Sequence, residues 1–460
     1  MQILPDRDKN FLRSLIVLAL PISIQNLINS SLNMVDTLML GALGEIEIAA
    51  SSVANALFFI IMLVVFGISS GSSVLVSQYW GKKDVRSIQR IFGISLILSS
   101  GIAFVISLLI FLFPETVVSI VTDKSELIGP SAGYARIVAF SNLFGAAATV
   151  YIGTLRCMEN ARFGMYVHSA GILTNTLLNW IMIFGKLGFP ALGLKGAAIA
   201  TLIARMLEFL VCTLHAASRK KKYAILSRES FRPGRLLFQD YLRYSLPVIV
   251  NESLWGVGYS LLSVIYGHMG TLAVAAASIA VSIERILGAT VFGIASAAIV
   301  LVGKEIGAGN LENGRQNAHF LLRLSFFYGG VLGIILMLSR PLVLSLFNLS
   351  PDTLQAAAAI LGVMALVMPA RSFNATLIVG VLRGGGDVHF ALFADVSGIW
   401  LLSVPLLAFA GLVLKLPVAV TYAFIAFEEV YRVALGLWRM KSGKWIRPVT
   451  READGTVSAL

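Results

Sequence analysis

The sequence predicts an all-α polytopic membrane protein, twelve transmembrane helices arranged as two pseudo-symmetric six-helix lobes. Three observations predict it: an apolar composition, twelve helix-length apolar stretches, and a repeat of the first half of the chain in the second. Of 460 residues, 57% are hydrophobic and 13% charged. That charged share is about half the average for a soluble domain, too little to cover a water-facing surface. The same apolar content excludes a disordered chain, and two Cys exclude a disulfide scaffold.

A membrane-crossing helix needs about 20 mostly apolar residues. The first half offers 13–40, 46–79, 88–113, 130–155, 163–185 and 193–217. The second offers 238–266, 272–303, 316–346, 353–382, 388–411 and 416–438. None shows the alternating ten-residue pattern of an outer-membrane barrel. The first stretch is too long for a signal-peptide core and carries Asp36, so no cleavable signal is expected. Cys157 and Cys212 fall at or within stretches and read as packing residues.

The net charge of +12 is a topology signal. The N-terminus, the even-numbered connections and the tail hold about 26 of the 36 Lys and Arg, including Lys82, Lys83, Arg156, Arg383 and the run Arg219-Lys220-Lys221-Lys222. The odd-numbered connections hold only Lys124, Lys186, Lys195, Arg340 and Lys415. The positive-inside rule then places both termini in the cytoplasm of a plasma (inner) membrane protein. The lipid bilayer is one expected partner, and nucleic acid is not.

Residues 20–81 align without gaps on 246–307, with 18 identities in 62 positions. Leu20-Pro21 meets Leu246-Pro247, Phe66-Gly67-Ile68 meets Phe292-Gly293-Ile294, and Gly81 meets Gly307. Gly153-Thr154-Leu155-Arg156 meets Gly380-Val381-Leu382-Arg383 one residue out of that offset. The expected organisation is an N-lobe over 1–218, a basic linker over 219–237, a C-lobe over 238–440 and a tail over 441–460. Six spans per half give both halves the same orientation, an architecture that binds between halves and alternates access. A transporter is favoured over a passive channel, and a monomer with a small-molecule substrate is expected.

Polar residues inside the spans point to the site. In the first span Gln25, Asn29, Asn33 and Asp36 follow one helix face. In the fifth, His168, Asn175 and Asn179 do the same, and the sixth carries Thr201. Such a stripe must face protein or a watery cavity. The repeat maps Asp36 onto Leu262, and Asn175 and Asn179 onto Leu402 and Leu406. Chemistry confined to one half of a duplicated scaffold reads as a specialised site rather than as packing glue. A carboxylate with amide and hydroxyl oxygens suits a hard cation, and in low dielectric it can also carry a proton.

Glu252, a few residues into the seventh span, is either a helix-entry glutamate or a contact for a cationic ligand. Glu284-Arg285, Arg205 with Glu208, and Glu428-Glu429 with Arg432 read as neutralised structural pairs, and Arg371 with Asp395 is a further pairing to test. Pro21 and Pro247 free backbone groups inside the first span of each half, and Pro21 is the candidate hinge. Arg383-Gly384-Gly385-Gly386-Asp387 is a tight turn without the Gly-Lys-Ser/Thr ending of a phosphate loop. No ATPase, metal-hydrolase or nucleophile motif occurs, so neither an enzyme nor a resident cofactor is expected.

The set Val35-Asp36-Thr37 with Gly41, Gly81, Asn175, Asn179-Trp180, Gly196 to Thr201 and Leu382-Arg383-Gly384 resembles the multidrug and toxic compound extrusion family over nearly the whole chain. The resemblance implies an antiporter that exports organic, often cationic or amphiphilic compounds against inward Na⁺ or H⁺ by rocker-switch alternating access. Asp36, Asn175, Asn179 and Thr201 fall where the family's N-lobe cation site lies, with Asp36, Asn175 and Asn179 as Na⁺ ligands if Na⁺ couples. Asn29, Asn33, His168 and Glu252 are the candidate substrate contacts, Glu252 matching a C-lobe acid of some members. The chain departs from the family at Ser372 and Asn179, where other branches have acids, which leaves Asp36 as the main carboxylate. A flippase for lipid-linked or polysaccharide precursors, from the same superfamily, is the alternative.

Overall fold

The structure is a computed structural model describing residues 9–218, 225–232, 234–347 and 349–451, without the side chains of 32–34. Among the described residues the regular elements are helices, apart from one antiparallel bridge between Gly386 and Ile446. Among the described residues eleven helices are long and apolar enough to cross a membrane. They are α1 Lys9–Gly41, α2 Glu45–Gly81, α3 Val85–Leu112, α4 Ser125–Cys157, α5 Ala161–Phe184, α6 Gly193–Ala217, α7 Arg235–Met269, α8 Thr271–Gly307, α9 Leu311–Leu344, α10 Pro351–Leu382 and α11 Val388–Val413. The twelfth expected stretch forms in two pieces, Val418–Ala423 and α12 Ile425–Ser442, with Phe424 between them. It falls short of an apolar span because α12 carries Glu428, Glu429 and Arg432, all buried.

Helix α1 runs unbroken through Pro21, and α7 through Pro247. The second half is less regular. π-Helical turns close α10 at Thr376–Leu382 and interrupt α11 at Gly398–Ser403 and Phe409–Val413. Such turns concentrate at functional positions.

By contact the described chain forms two compact units. One comprises Ile24–Val76 and Asp84–Ile249. The other takes the chain up to Ser23, then Ser77–Lys83, then everything from Val250 onward. In the first unit α3, α4, α5 and α6 pack around Phe58, Ile61, Ala103, Ala135 and Ala198. Small residues let these helices approach closely, which is how spans associate without a hydrophobic driving force. The end of the linker is docked there as well. Ile225 is fully buried, Ser227 donates to Gln89 at 2.8 Å, and Arg90 meets Glu229 at 2.7 Å. The Arg90 hydrogen bond holds the Glu229 carboxyl below its ordinary range, so this contact persists at neutral pH and is lost as acid protonates Glu229. The run Arg219 to Lys222 lies outside the described residues.

In the second unit α8, α9 and α10 pack around Ala276, Leu361 and Met364, with Tyr422 and Ile425 completing the core. The expected repeat is visible as matched close approaches. In the first unit Gly67 packs on the backbone of Ile249, and a Cβ at residue 67 would lie 2.9 Å from its Cα. In the second unit the repeat mate Gly293 packs on Ser23, the repeat mate of residue 249. Both crossings need glycine, because a methyl group would strike the facing helix.

The tail is not a free basic extension. After Gly443, residues 444–451 fold back over the second unit. Trp445 is fully buried against Gly385, and the Arg447 N–H donates to the Gly385 carbonyl at 2.7 Å. Gln78 at the end of α2 donates to the Gly384 carbonyl at 3.0 Å and accepts from the Val449 N–H at 2.8 Å. Asp387 anchors the turn by accepting from Arg439 at 2.6 Å. Trp445→Ala is expected to cost about 3 kcal/mol through the cavity it opens. A thermal-unfolding midpoint equal to wild type in detergent would show that the strap is not packed.

Candidate functional site

Four of the expected site residues form one hydrogen-bonded chain in the first unit. Asn179 of α5 donates to the Asp36 carboxylate of α1 at 2.6 Å and to the Asn175 carbonyl oxygen at 3.1 Å. Asn175 in turn donates to the Thr201 hydroxyl of α6 at 3.3 Å. The four-residue step between Asn175 and Asn179 stacks both amides on one face of α5. Asn175 and Asn179 are almost fully buried. The buried Tyr134 of α4 stands beside Thr201 and Asp36. Sequence reading missed it, because a single tyrosine in an apolar span carries no periodic signal.

One feature makes this cluster an oxygen-rich receptor rather than closed packing. The side-chain oxygen of Asn179 is buried without a hydrogen-bond donor. The Asn175 amide also admits a second orientation. Turned over, its nitrogen donates to Asp36 at 3.0 Å and its oxygen accepts from the Thr201 N–H at 3.3 Å. The Asp36, Asn175, Asn179 and Thr201 oxygens fit a hard cation or a proton, and among the described residues no cluster of His, Cys, Asp and Glu suits a transition metal.

The remaining candidates are distributed differently. Asn29 is half-buried earlier on α1. The Asn33 side chain lies outside the described residues. His168 does not join the amide chain, for its Nδ1 lies 3.1 Å from Glu208 of α6. Glu208 also accepts from Arg205 at 2.7 Å, as the sequence pairing expects.

In the second unit Glu252 meets Arg383 at 2.6 Å on the wall of a half-open cavity. Trp255 and Tyr259, stacked with centroids 5.1 Å apart, line the same cavity. Two pairings expected from sequence are corrected here. Glu284 pairs with Arg371 at 2.8 Å, and Arg371 also meets Glu429 at 3.0 Å. Asp395 pairs with Arg432 at 3.2 Å, and Arg432 also bonds Glu428 as expected. These partners are remote in sequence, so spacing along the chain does not reveal them. Position 262, the repeat mate of Asp36, is a leucine inside the apolar core of this unit.

The MatE family model matches residues 21–181 and again 247–409, once in each half. The probable multidrug resistance protein YoeA of Bacillus subtilis is 26% identical over 396 residues, 85% of each chain. The multidrug resistance protein NorM of Burkholderia vietnamiensis is 28% identical over 402 residues, 84% of each chain. A solved structure described as the outward-facing conformation of a multidrug resistance MATE family transporter of the MOP superfamily superimposes with a TM-score of 0.85. It is 21% identical and covers 94% of this chain and 96% of its own. Duplicated architecture, polar cluster and family match agree: the chain belongs to the MatE family of multi-pass membrane transporters.

Proposed function

We propose that the protein is a secondary antiporter that exports organic cationic or amphiphilic compounds in exchange for Na⁺ or H⁺, with both termini in the cytoplasm and the monomer as the working unit. The observation that carries this reading is the one-sided site. Asp36, Asn175, Asn179 and Thr201 meet in the first unit, while the repeat mate of Asp36 is a buried leucine. Packing alone would treat the two halves alike.

Asp36 takes up the coupling cation, and the Asn175 and Asn179 oxygens complete its shell. Loading removes one charge from the interior and lets α1 bend near Pro21, releasing the exported compound. The two cargoes alternate because they favour different states of one rocker-switch equilibrium.

A precursor flippase would need free cationic groups for a polyanion. The candidates Arg371 and Arg432 are each held between two carboxylates, and Arg136 lies over the Phe111 ring. The deciding experiment is transport by purified protein in vesicles, with a Na⁺ gradient and a pH gradient imposed separately across a panel of cationic dyes. One gradient is expected to drive dye movement. Movement driven by neither would end the antiport reading.

A further inference from the structure

The pair Arg205–Glu208 looks at first like structural neutralisation, but its setting gives it a second consequence. Along the middle of α1, α5 and α6 the charged side chains described are Asp36, Arg205 and Glu208. Glu208 is almost fully buried and fixed at both oxygens. Arg205 donates to one at 2.7 Å and His168 lies 3.1 Å from the other. Its carboxyl lies flat against α5 at Gly171, where a Cβ would fall 2.8 Å from the Glu208 Cγ. Arg205 runs past Gly145 of α4, where an added Cβ would lie 3.7 Å from the Arg205 Cδ. It follows Thr201 by four residues and so stands one turn further along the same face of α6. Its guanidinium lies within electrostatic reach of Asp36 as well as of Glu208.

One arginine, bound to Glu208, therefore stands one turn beyond the Asp36 chain that ends at Thr201. The formal charges of Asp36, Arg205 and Glu208 sum to minus one inside the membrane. Such a charge is costly to leave uncompensated. We propose that Arg205, held by a Glu208 that His168 fixes in turn, is a positioning residue for the ion site: the fixed counter-charge whose shortfall of one sets that site to accept one monovalent cation. Glu208 never touches the cation. It occupies Arg205, and so leaves Asp36 short of a partner.

This inference rests on Asp36 being the coupling site, and the test separates the two. Dye efflux would be measured in vesicles containing the purified protein, with ethidium as the probe and the driving ion titrated. Glu208→Gln makes the cluster neutral with Asp36 ionised, so the ion concentration for half-maximal efflux is expected to rise about tenfold or more. Arg205→Gln leaves two unopposed carboxylates, and the same concentration is expected to fall by a similar factor. Arg205→Lys keeps the charge and stays near wild type. The double variant Arg205→Gln/Glu208→Gln restores a net charge of minus one, and is expected to return to within about threefold of wild type.

A merely structural role gives no such opposition and no rescue. Single variants that shift in the same direction, or not at all, would overturn the proposal, as would a double variant as impaired as the worse single. Asp36→Asn, run alongside, tests the underlying reading alone. If it keeps coupled efflux, the ion site lies elsewhere. If it loses coupling while the charge series shows no rescue, only the counter-charge idea fails.

Discussion

Asp36→Asn is expected to abolish gradient-driven efflux while leaving a folded protein. The substitution keeps the shape of the side chain and its hydrogen-bonding oxygen, so the Asn179 donor at 2.6 Å keeps an acceptor. The half-buried site loses only its charge and its capacity to take a proton. No other carboxylate replaces it. Glu208 is already bound by Arg205 and His168, and the repeat position is Leu262 in an apolar core. A fixed carboxylate in a low-dielectric site contributes several kcal/mol to holding a cation, so a loss of at least about 100-fold in coupled rate is expected. The measurement is ethidium efflux under the gradient that drives the wild type, with the unfolding midpoint as the control for folding. Efflux at the wild-type rate would remove Asp36 from the mechanism.

The fold was legible because its signals are local. Apolar runs have span length, and the offset of 226 residues shows in matched Pro and Gly. The polar stripe was legible for the same reason: Asn175 and Asn179 are one turn apart, and a stripe on a span must face inward. What escaped is tertiary. Arg371 finds Glu429 on α12 rather than Asp395, because the topology brings those helices together and spacing does not reveal it. The tail reads as a basic cytoplasmic segment, yet Trp445 and Val449 are fully buried, and Val449 is bonded to Gln78 from the far end of the sequence. The pair Arg205–Glu208 was visible as a pair, but its part in a three-charge cluster needed the position of Asp36. The division of the last span at Phe424 was not legible, nor were the partners of its charges, Arg371 on α10 for Glu429 and Asp395 on α11 for Arg432.

The largest stability effect is expected where the repeat crosses itself, at Gly81 and Gly307. The end of α2 lies against the end of α8 in the second unit, and each glycine packs on a backbone carbonyl: Gly81 on that of Lys304, Gly307 on that of Gln78. These pairs are repeat mates, for Gln78 aligns with Lys304 as Gly81 does with Gly307, so one pseudo-two-fold crossing is built twice from the same two positions. Neither side offers a side chain that could swing away, because what faces each glycine is main chain inside a helix. Any Cβ must push the helices apart, opening the Gln78 bonds to Gly384 and Val449 with them. Gly81→Val and Gly307→Val are each expected to cost about 3 kcal/mol or more, at the upper end for overpacking. Gly101 and Gly330 are helical glycines with open space where a Cβ would go, so valine there should change stability by under about 1 kcal/mol. Thermal unfolding of the four variants in detergent separates steric collision from the general effect of replacing glycine. If Gly307→Val unfolds at the same temperature as Gly101→Val, the crossing is not closed by backbone contact, and the tail then has no tight joint to cover.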